Sequence, residues 1–360
     1  MLGLAALAVV AVACAPNATQ SSLEPQGSNA RTIDALFWPV LWIAAAVFVL
    51  VEGLIVYFLF KYRHRAGRDR IPPQIHGNTK LEIGWTILPA LVLVGVAVPT
   101  VATIFELARK PTGPEVVNVS VIGHQWWWEF RYTDPELQVA EGVPLTTANQ
   151  LYVPAQRPVY LSLECDPDTQ AGIGRAVIHS YWIPELFGKQ DCIPGHVNHI
   201  SFSADAPGTY EGQCFEFCGL SHANMKTRVE ALGESEFSAW VEGQKQDAVT
   251  PPAGSAAEQG MDLFLNGTFD DGGRCISCHA IDGPMSASGA PAAGGLGGPN
   301  LTHFASRDCF AGCMFENRDT EQLAAWLRSP PAEKPGSFMP DYGLTEPQID
   351  ALVAYLEQLK

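Results

Sequence analysis

The sequence predicts a multidomain membrane protein: a two-helix transmembrane hairpin, then a β-sandwich or barrel, then an all-α domain. Three observations carry this. Apolar residues, 47% of the 360, are gathered largely into two long runs in the first third of the chain. Between 115 and 232, short stretches alternate apolar and polar residues, with Pro and Gly between them and no long helical pattern. The final part, 260–360, is helical at its ends. A chain of this length is too long for one ordinary domain and suits about two or three.

The N-terminal run MLGLAALAVVAVAC ends at Cys14. It reads as a signal peptide over 1–14 whose cysteine becomes lipidated, although no Lys or Arg precedes it; a plain cleaved signal is the alternative. Within 31–110 lie two candidate spans, at about 36–60 and 83–107. Leu36–Phe60 carries the single charge Glu52, and Ile83–Phe105 carries none. Each exceeds the roughly 20 residues that cross a bilayer core. Neither shows the polar face of a soluble helix. Between them Lys61, Arg63, Arg65, Arg68, Arg70 and Lys80 oppose Asp69 alone, which puts this loop in the cytoplasm and everything after Lys110 outside. The net charge of -16 argues against nucleic acid and permits a basic protein partner.

In the strand-rich region, read as a domain over 115–243, VVNVSV (116–121) has the period of a half-buried strand, and PVYLSLE and HVNHISFS read similarly. The composition then turns to Pro, Ala, Gly and Ser over 244–259, which reads as a flexible linker. The domain 260–360 closes with TEPQIDALVAYLEQLK. That segment places Ile349, Leu352, Val353 and Leu356 on one helix face, behind a capping box of Thr345 and Gln348.

Cys275-Ile-Ser-Cys278-His279 is the covalent haem attachment pattern: two thiols add to the haem vinyl groups and the adjacent histidine reaches the iron. Met339, on a loop stiffened by Pro340, is the chosen sixth ligand; Met314 and Met285 are rivals. A second cluster is Cys214, Cys218, His222 and Met225, spaced by four, four and three. Thiolate, imidazole and thioether together select copper over hard metals. Two thiolates invite two coppers, each sulfur bridging both. A second imidazole is then needed; His179 is the natural donor, with His196 and His199 as alternatives. The competing account is a structural Cys/His zinc site, which has no use for Met225. Of nine cysteines, Cys165, Cys192, Cys309 and Cys313 are left over. Outside the cytoplasm the main expectation for them is two disulfides, with the pairing open; free packing thiols and an extra metal are the lesser readings.

HSYWIP, QCFEFCGLSHANM and GHQWWWEFRY together resemble subunit II of cytochrome c oxidase, a heme-copper terminal oxidase. The trailing C-x-x-C-H domain resembles the variant with a fused cytochrome c. The resemblance covers nearly the whole chain after Arg31. It implies a cupredoxin-like copper domain and a class I cytochrome c domain, exposed on the periplasmic side of a bacterial inner membrane. The implied function is the electron-input subunit of a proton-pumping oxidase. Electrons pass from a cytochrome c or other exterior donor, through haem c and a dinuclear copper centre (CuA), to subunit I, where O₂ becomes water. No oxygen-reduction site lies in this chain. Subunits I and III and membrane lipid are the implied partners.

By the same resemblance, His179, Cys214, Glu216 (through its carbonyl), Cys218, His222 and Met225 hold the two coppers. The Glu216 carboxylate points toward a magnesium site shared with subunit I. Trp126 is the electron-input tryptophan, and Glu82 stands at the mouth of a proton channel. Without the family, Glu82 reads equally well as an acid favoured at a helix start, and Trp126–Trp128 as core packing. The leftover cysteines are no part of the family's motifs. Two rival functions are a copper-bearing subunit of a nitric oxide reductase and a membrane-anchored copper carrier; a carrier has no need of Cys275–His279.

Overall fold

The computed structural model describes residues 18–63, 74, 76–165, 176–269, 272–282 and 297–360. Cys14, Met285 and most of the basic loop lie outside the described residues. The chain forms two bodies, Arg31–Arg109 and the remainder.

The first body contains helices α1 (Ser28–Tyr62) and α2 (Thr79–Leu107). Both are long and apolar enough to cross a membrane, with mean hydropathy 2.5 and 2.3. Trp42, Phe60, Leu93 and Phe105 are each 65–73% exposed, the opposite of a soluble core helix. The helices outrun the expected 36–60 and 83–107, because the apolar run fixes only the part that sits in hydrocarbon. Polar flanks continue the helix. At the start of α2 the Asn78 side chain accepts from the Lys80 and Leu81 amides at 3.1 and 3.3 Å, a helix cap that propensity alone does not place.

The second body holds two packed sheets. One has the order β3-β4-β2-β1-β6-β9 and the other β5-β11-β10-β7-β8. Their strands are β1 (Val117–His124), β2 (Trp127–Tyr132), β3 (Gln138–Ala140), β4 (Val143–Ala148), β5 (Gln150–Pro154), β6 (Val159–Cys165), β7 (His179–Trp182), β8 (Gln190–Cys192), β9 (Asn198–Phe202), β10 (Gly208–Cys214) and β11 (Lys226–Leu232). The alternation read from sequence sets the faces. Val117, Val119 and Val121 of β1 run parallel to Val159, Leu161 and Leu163 of β6, and all six are buried. Helix α3 (Glu234–Gln244) closes the domain, its Trp240 stacked on Tyr152 at 4.5 Å.

The expected linker 244–259 is laid onto the haem-type domain rather than left free. The His303 ring bonds the Gln244 carbonyl at 3.1 Å, and the Ala248 amide donates to the Asp282 carbonyl at 2.9 Å. Helix α4 (Ala256–Asn266) already begins within the linker range. The C-terminal domain adds α5 (Thr320–Arg328), the short α6 (Pro330–Glu333) and α7 (Glu346–Leu356), with the expected capping box of Thr345 and Gln348. Helices α4 and α7 cross closely: a Cβ on Gly260 would lie 1.9 Å from the Ala351 carbonyl oxygen, so only glycine fits. The domain is not entirely helical. A hairpin of β12 (Cys309–Phe310) and β13 (Phe315–Glu316) projects from it.

Candidate metal centres

The first centre is built by two strand ends and one loop. Strand β7 begins at His179 and β10 ends at Cys214, with Cys214 opposite Tyr181. The loop after Cys214 returns at Met225, where the Cys214 amide donates to the Met225 carbonyl at 2.8 Å. Gly219 turns the loop at φ +119°; a Cβ there would meet Trp126 and Gln125 at 3.0 Å.

All six donors expected from sequence converge. The two cysteine sulfurs are 3.8 Å apart. Cys214 Sγ lies 3.8 Å from His179 Nδ1 and 3.2 Å from the Glu216 carbonyl oxygen. Cys218 Sγ lies 3.6 Å from His222 Nδ1 and 3.9 Å from Met225 Sδ. Donors about 2.2 Å from one tetrahedral metal sit about 3.6 Å apart, so these spacings fit ligation. Each sulfur has its own imidazole and its own weak neighbour, thioether or carbonyl. That symmetry suits two soft metals sharing both thiolates and wastes a donor on a single zinc. Without metal, the proton shared with Cys218 holds Cys214 down, to about 3, and pushes Cys218 up, so the pair carries one negative charge. His199 instead lies on β9, stacked on Tyr160, and neither it nor His196 joins the cluster. The Glu216 carboxylate reaches Lys189 Nζ at 3.7 Å.

The second centre is a cavity in the C-terminal domain, lined by Cys275, Cys278, His279 and Met339 and by apolar side chains such as Leu301 and Phe304. Its open space, mouth included, is about 1300 Å³. The His279 Nδ1–H donates to the Pro299 carbonyl at 2.9 Å, which leaves Nε2 for iron. Burial lowers the His279 pKa, keeping the ring neutral as a ligand must be. Burial also pushes the Cys275 thiol up to about 11, as expected of sulfur held in an apolar wall. Gly298 is required beside the ring, since a Cβ there would lie 2.7 Å from His279 Cε1. Met314 is absent from the cavity lining; Met339 is part of it. Thioether and imidazole on one apolar cavity with two thiols fit a covalently held haem.

Trp126 joins the two centres. It is 7% exposed, its Nε1–H donates to the Cys218 carbonyl at 3.1 Å, and it lines the haem-type cavity. Phe338 stacks on it at 5.4 Å and 13°. Trp128 is a core residue, edge-on to His179 and Tyr181. Sequence reasoning missed Phe338, although it stands beside Met339 in the SFMP segment already singled out. It also missed Lys334 and Arg307. Lys334 is buried, and Arg307 lines the cavity with burial pushing its guanidinium down to about 10. Nothing in the local sequence marks either one.

Glu82 sits at the start of α2, its Oε1 accepting from the Asn78 amide at 3.2 Å; the helix-start role is visible in the geometry. Of the leftover cysteines, Cys309 and Cys313 are bonded to each other. Cys165 and Cys192 are free buried thiols, correcting the expected second disulfide. The Cys165 thiol donates to the Cys192 carbonyl oxygen. Both lie behind the first centre: Cys192 pairs across β8–β7 with His179.

A membrane hairpin, a sandwich carrying a soft-metal cluster and a domain with a C-x-x-C-H cavity define a membrane-anchored redox protein. Comparison with known families makes this specific. The pattern for cytochrome C oxidase subunit II, transmembrane domain, matches residues 18–103; that for its periplasmic domain matches 117–232; that for cytochrome c matches 257–360. Cytochrome c oxidase subunit 2 of Alkalihalophilus pseudofirmus is 37% identical over 100% of this chain and 96% of its own. The subunit 2 proteins of Bacillus sp. strain PS3 and Bacillus subtilis are 37% and 32% identical, over 83% and 84% of this chain and 80% and 82% of theirs. The chain belongs to the cytochrome c oxidase subunit II family, in a form that carries a C-terminal cytochrome c domain. It is a subunit of a heme-copper oxidoreductase; the family implies copper, the fused domain implies haem, and membership implies partner subunits and a redox donor.

The thiol assignment is checked by alkylating the unfolded, unreduced protein and mapping labels by mass spectrometry. Cys165 and Cys192 should carry label, while Cys309 and Cys313 should appear as one linked peptide. A linked Cys165–Cys192 peptide would contradict the assignment.

Proposed function

We propose that the chain is the electron-input subunit of a proton-pumping cytochrome c oxidase of a bacterial cell membrane, passing electrons from its cytochrome c domain to its copper domain and on to subunit I. The observation that carries this reading is the double contact of Trp126: its indole donates to the Cys218 carbonyl while its ring, stacked on Phe338, lines the cavity that also holds Met339. A conjugated ring touching both sites is a path that no solvent interrupts.

When bound, the haem and the dinuclear copper supply one-electron storage. Cys275 and Cys278 would anchor the haem, and His279 and Met339, which line the same cavity, would serve as its iron ligands. Met/His ligation favours the reduced iron and raises the potential, which suits a relay. Cys214, Cys218, His179, His222, Met225 and the Glu216 carbonyl would hold the dinuclear copper, a soft donor set suited to one-electron exchange. The Glu216 carboxylate, already exposed toward Lys189, is the group offered to a magnesium ion shared with subunit I. Subunit III completes the complex, and O₂ is reduced in subunit I. A nitric oxide reductase partner would use the same copper site; Glu82 favours an oxidase with a proton path.

The membrane-free part of the chain tests the copper reading. Residues 110–243 should bind two coppers per chain and show an electron shared between them by electron paramagnetic resonance. Cys218→Ser should abolish the sharing, since one bridge cannot delocalise it. One zinc per chain and no colour would defeat the reading.

On this reading Glu82 serves the cytoplasmic mouth of the proton path, since the basic loop sets the side on which α2 starts. In the assembled oxidase, Glu82→Ala should slow steady-state oxygen consumption with copper and haem content unchanged, and Glu82→Asp should retain part of the rate. Pure helix capping, worth about 0.3–1 kcal/mol, predicts normal turnover instead.

A further inference from the structure

The fused domain is not a tethered passenger. The hairpin β12–β13 reaches from the cytochrome c domain onto the copper domain. The disulfide Cys309–Cys313 closes its turn, in which Ala311, Gly312 and Cys313 all have positive φ, at 54°, 76° and 51°. Such a turn holds a shape that L-residues rarely adopt unaided. Two backbone amides and one carbonyl of this segment bond to the copper domain. Gln150 Oε1 accepts from the Asp308 and Cys309 amides at 2.8 and 3.3 Å, and the Lys226 amide donates to the Gly312 carbonyl at 2.9 Å. Arg228 pairs with Glu316 beside it. Gly312 fits so tightly that a Cβ would lie 2.7 Å from the Asn224 carbonyl oxygen and 2.6 Å from Lys334 Nζ.

Lys334, just after α6, is 4% exposed. Its ammonium donates to the Trp126 carbonyl at 2.6 Å and to the Ala311 carbonyl at 3.0 Å. A buried amine is costly unless its donors are satisfied, and burial pushes this one down to about 7. Two residues on from Lys334, Gly336 meets the Trp126 ring, and the Ser221 hydroxyl donates to the Pro335 carbonyl at 2.7 Å. The same short segment then reaches Phe338 and Met339. One amine thus ties together the disulfide turn, the backbone of the relay tryptophan and the loop that carries the haem-facing methionine.

We propose that the disulfide-closed turn Cys309–Cys313 and buried Lys334 form a clasp that locks the cytochrome c domain onto the copper domain and fixes the haem cavity against Trp126. These are positioning residues, because none of them is a donor to either metal centre. The proposal deepens the relay reading above and rests on it for its functional consequence, but its geometry can be tested alone.

The test uses the complete oxidase with both cofactors. Pulsed electron paramagnetic resonance reads the haem-to-copper distance distribution, and flash-induced oxidation reads the internal transfer rate. The wild type should give one narrow distance. A variant combining Cys309→Ser, Cys313→Ser and Lys334→Met should give a broad one. Its internal transfer should slow about tenfold, equivalent to about 1.4 kcal/mol of lost docking, with haem and copper spectra unchanged. Lys334→Gln alone, which keeps a donor, should stay close to wild type. If the triple variant loses a cofactor, Gly312→Ala provides the same two readouts, since its single methyl collides with Asn224 and Lys334. A narrow wild-type distance in variants that hold both metals would overturn the clasp, as would a broad distance with an unchanged rate. In the unmutated oxidase, a narrow distance with no internal transfer, followed by a broad distance in the triple variant, would instead overturn the relay and leave the clasp standing.

Discussion

The Trp126 residue is gripped from both sides, and the rest of the periplasmic body is organised around that grip. Its indole N–H is bonded to the Cys218 carbonyl, its own carbonyl is bonded to a lysine of the other domain, and its ring is stacked on Phe338. Both hydrogen bonds are buried, where they are expensive to lose. The result is a junction that holds the two centres against each other.

The copper loop shows a second constraint. Five of the six donors come from Cys214–Met225, so the loop can shape itself around metal, whereas His179 comes from a separate strand and sets where the loop must land. Metal binding and folding of such a loop are one free-energy event. The sandwich beneath it, with Trp128 and Tyr181 fully buried, is what gives the loop a rigid base. The bonded turn at Cys309–Cys313 performs the same service from the haem side.

Local patterns were legible. The two membrane runs, the alternation in β1 and β6, the capping box at Thr345, the C-x-x-C-H segment and the spacing from Cys214 to Met225 are all short-range, and the residues themselves carry the physics. What was not legible is long-range. Nothing near Lys334 says that it meets Trp126, 208 positions away, and nothing near Gln150 says that it receives Asp308. The stretch 244–259 has the composition of a flexible linker, but tertiary hydrogen bonds override composition there. Compartment and elimination group Cys165 with Cys192, but neither argument decides whether two buried thiols are bonded. Glu82 was read two ways because a helix-start acid and a membrane-border acid look alike in sequence; the Asn78 contact makes one role visible without removing the other.

The account stands on the cytochrome c domain feeding the copper domain through a docked junction. The most direct measurement is stopped-flow mixing of the oxidised complete oxidase with a reduced cytochrome c donor, following the haem c band and the copper near-infrared band separately. The account predicts that haem c is reduced first and that copper follows at a rate independent of donor concentration. Copper reduced ahead of haem c, or at a rate that rises with donor concentration while haem c stays oxidised, would contradict it.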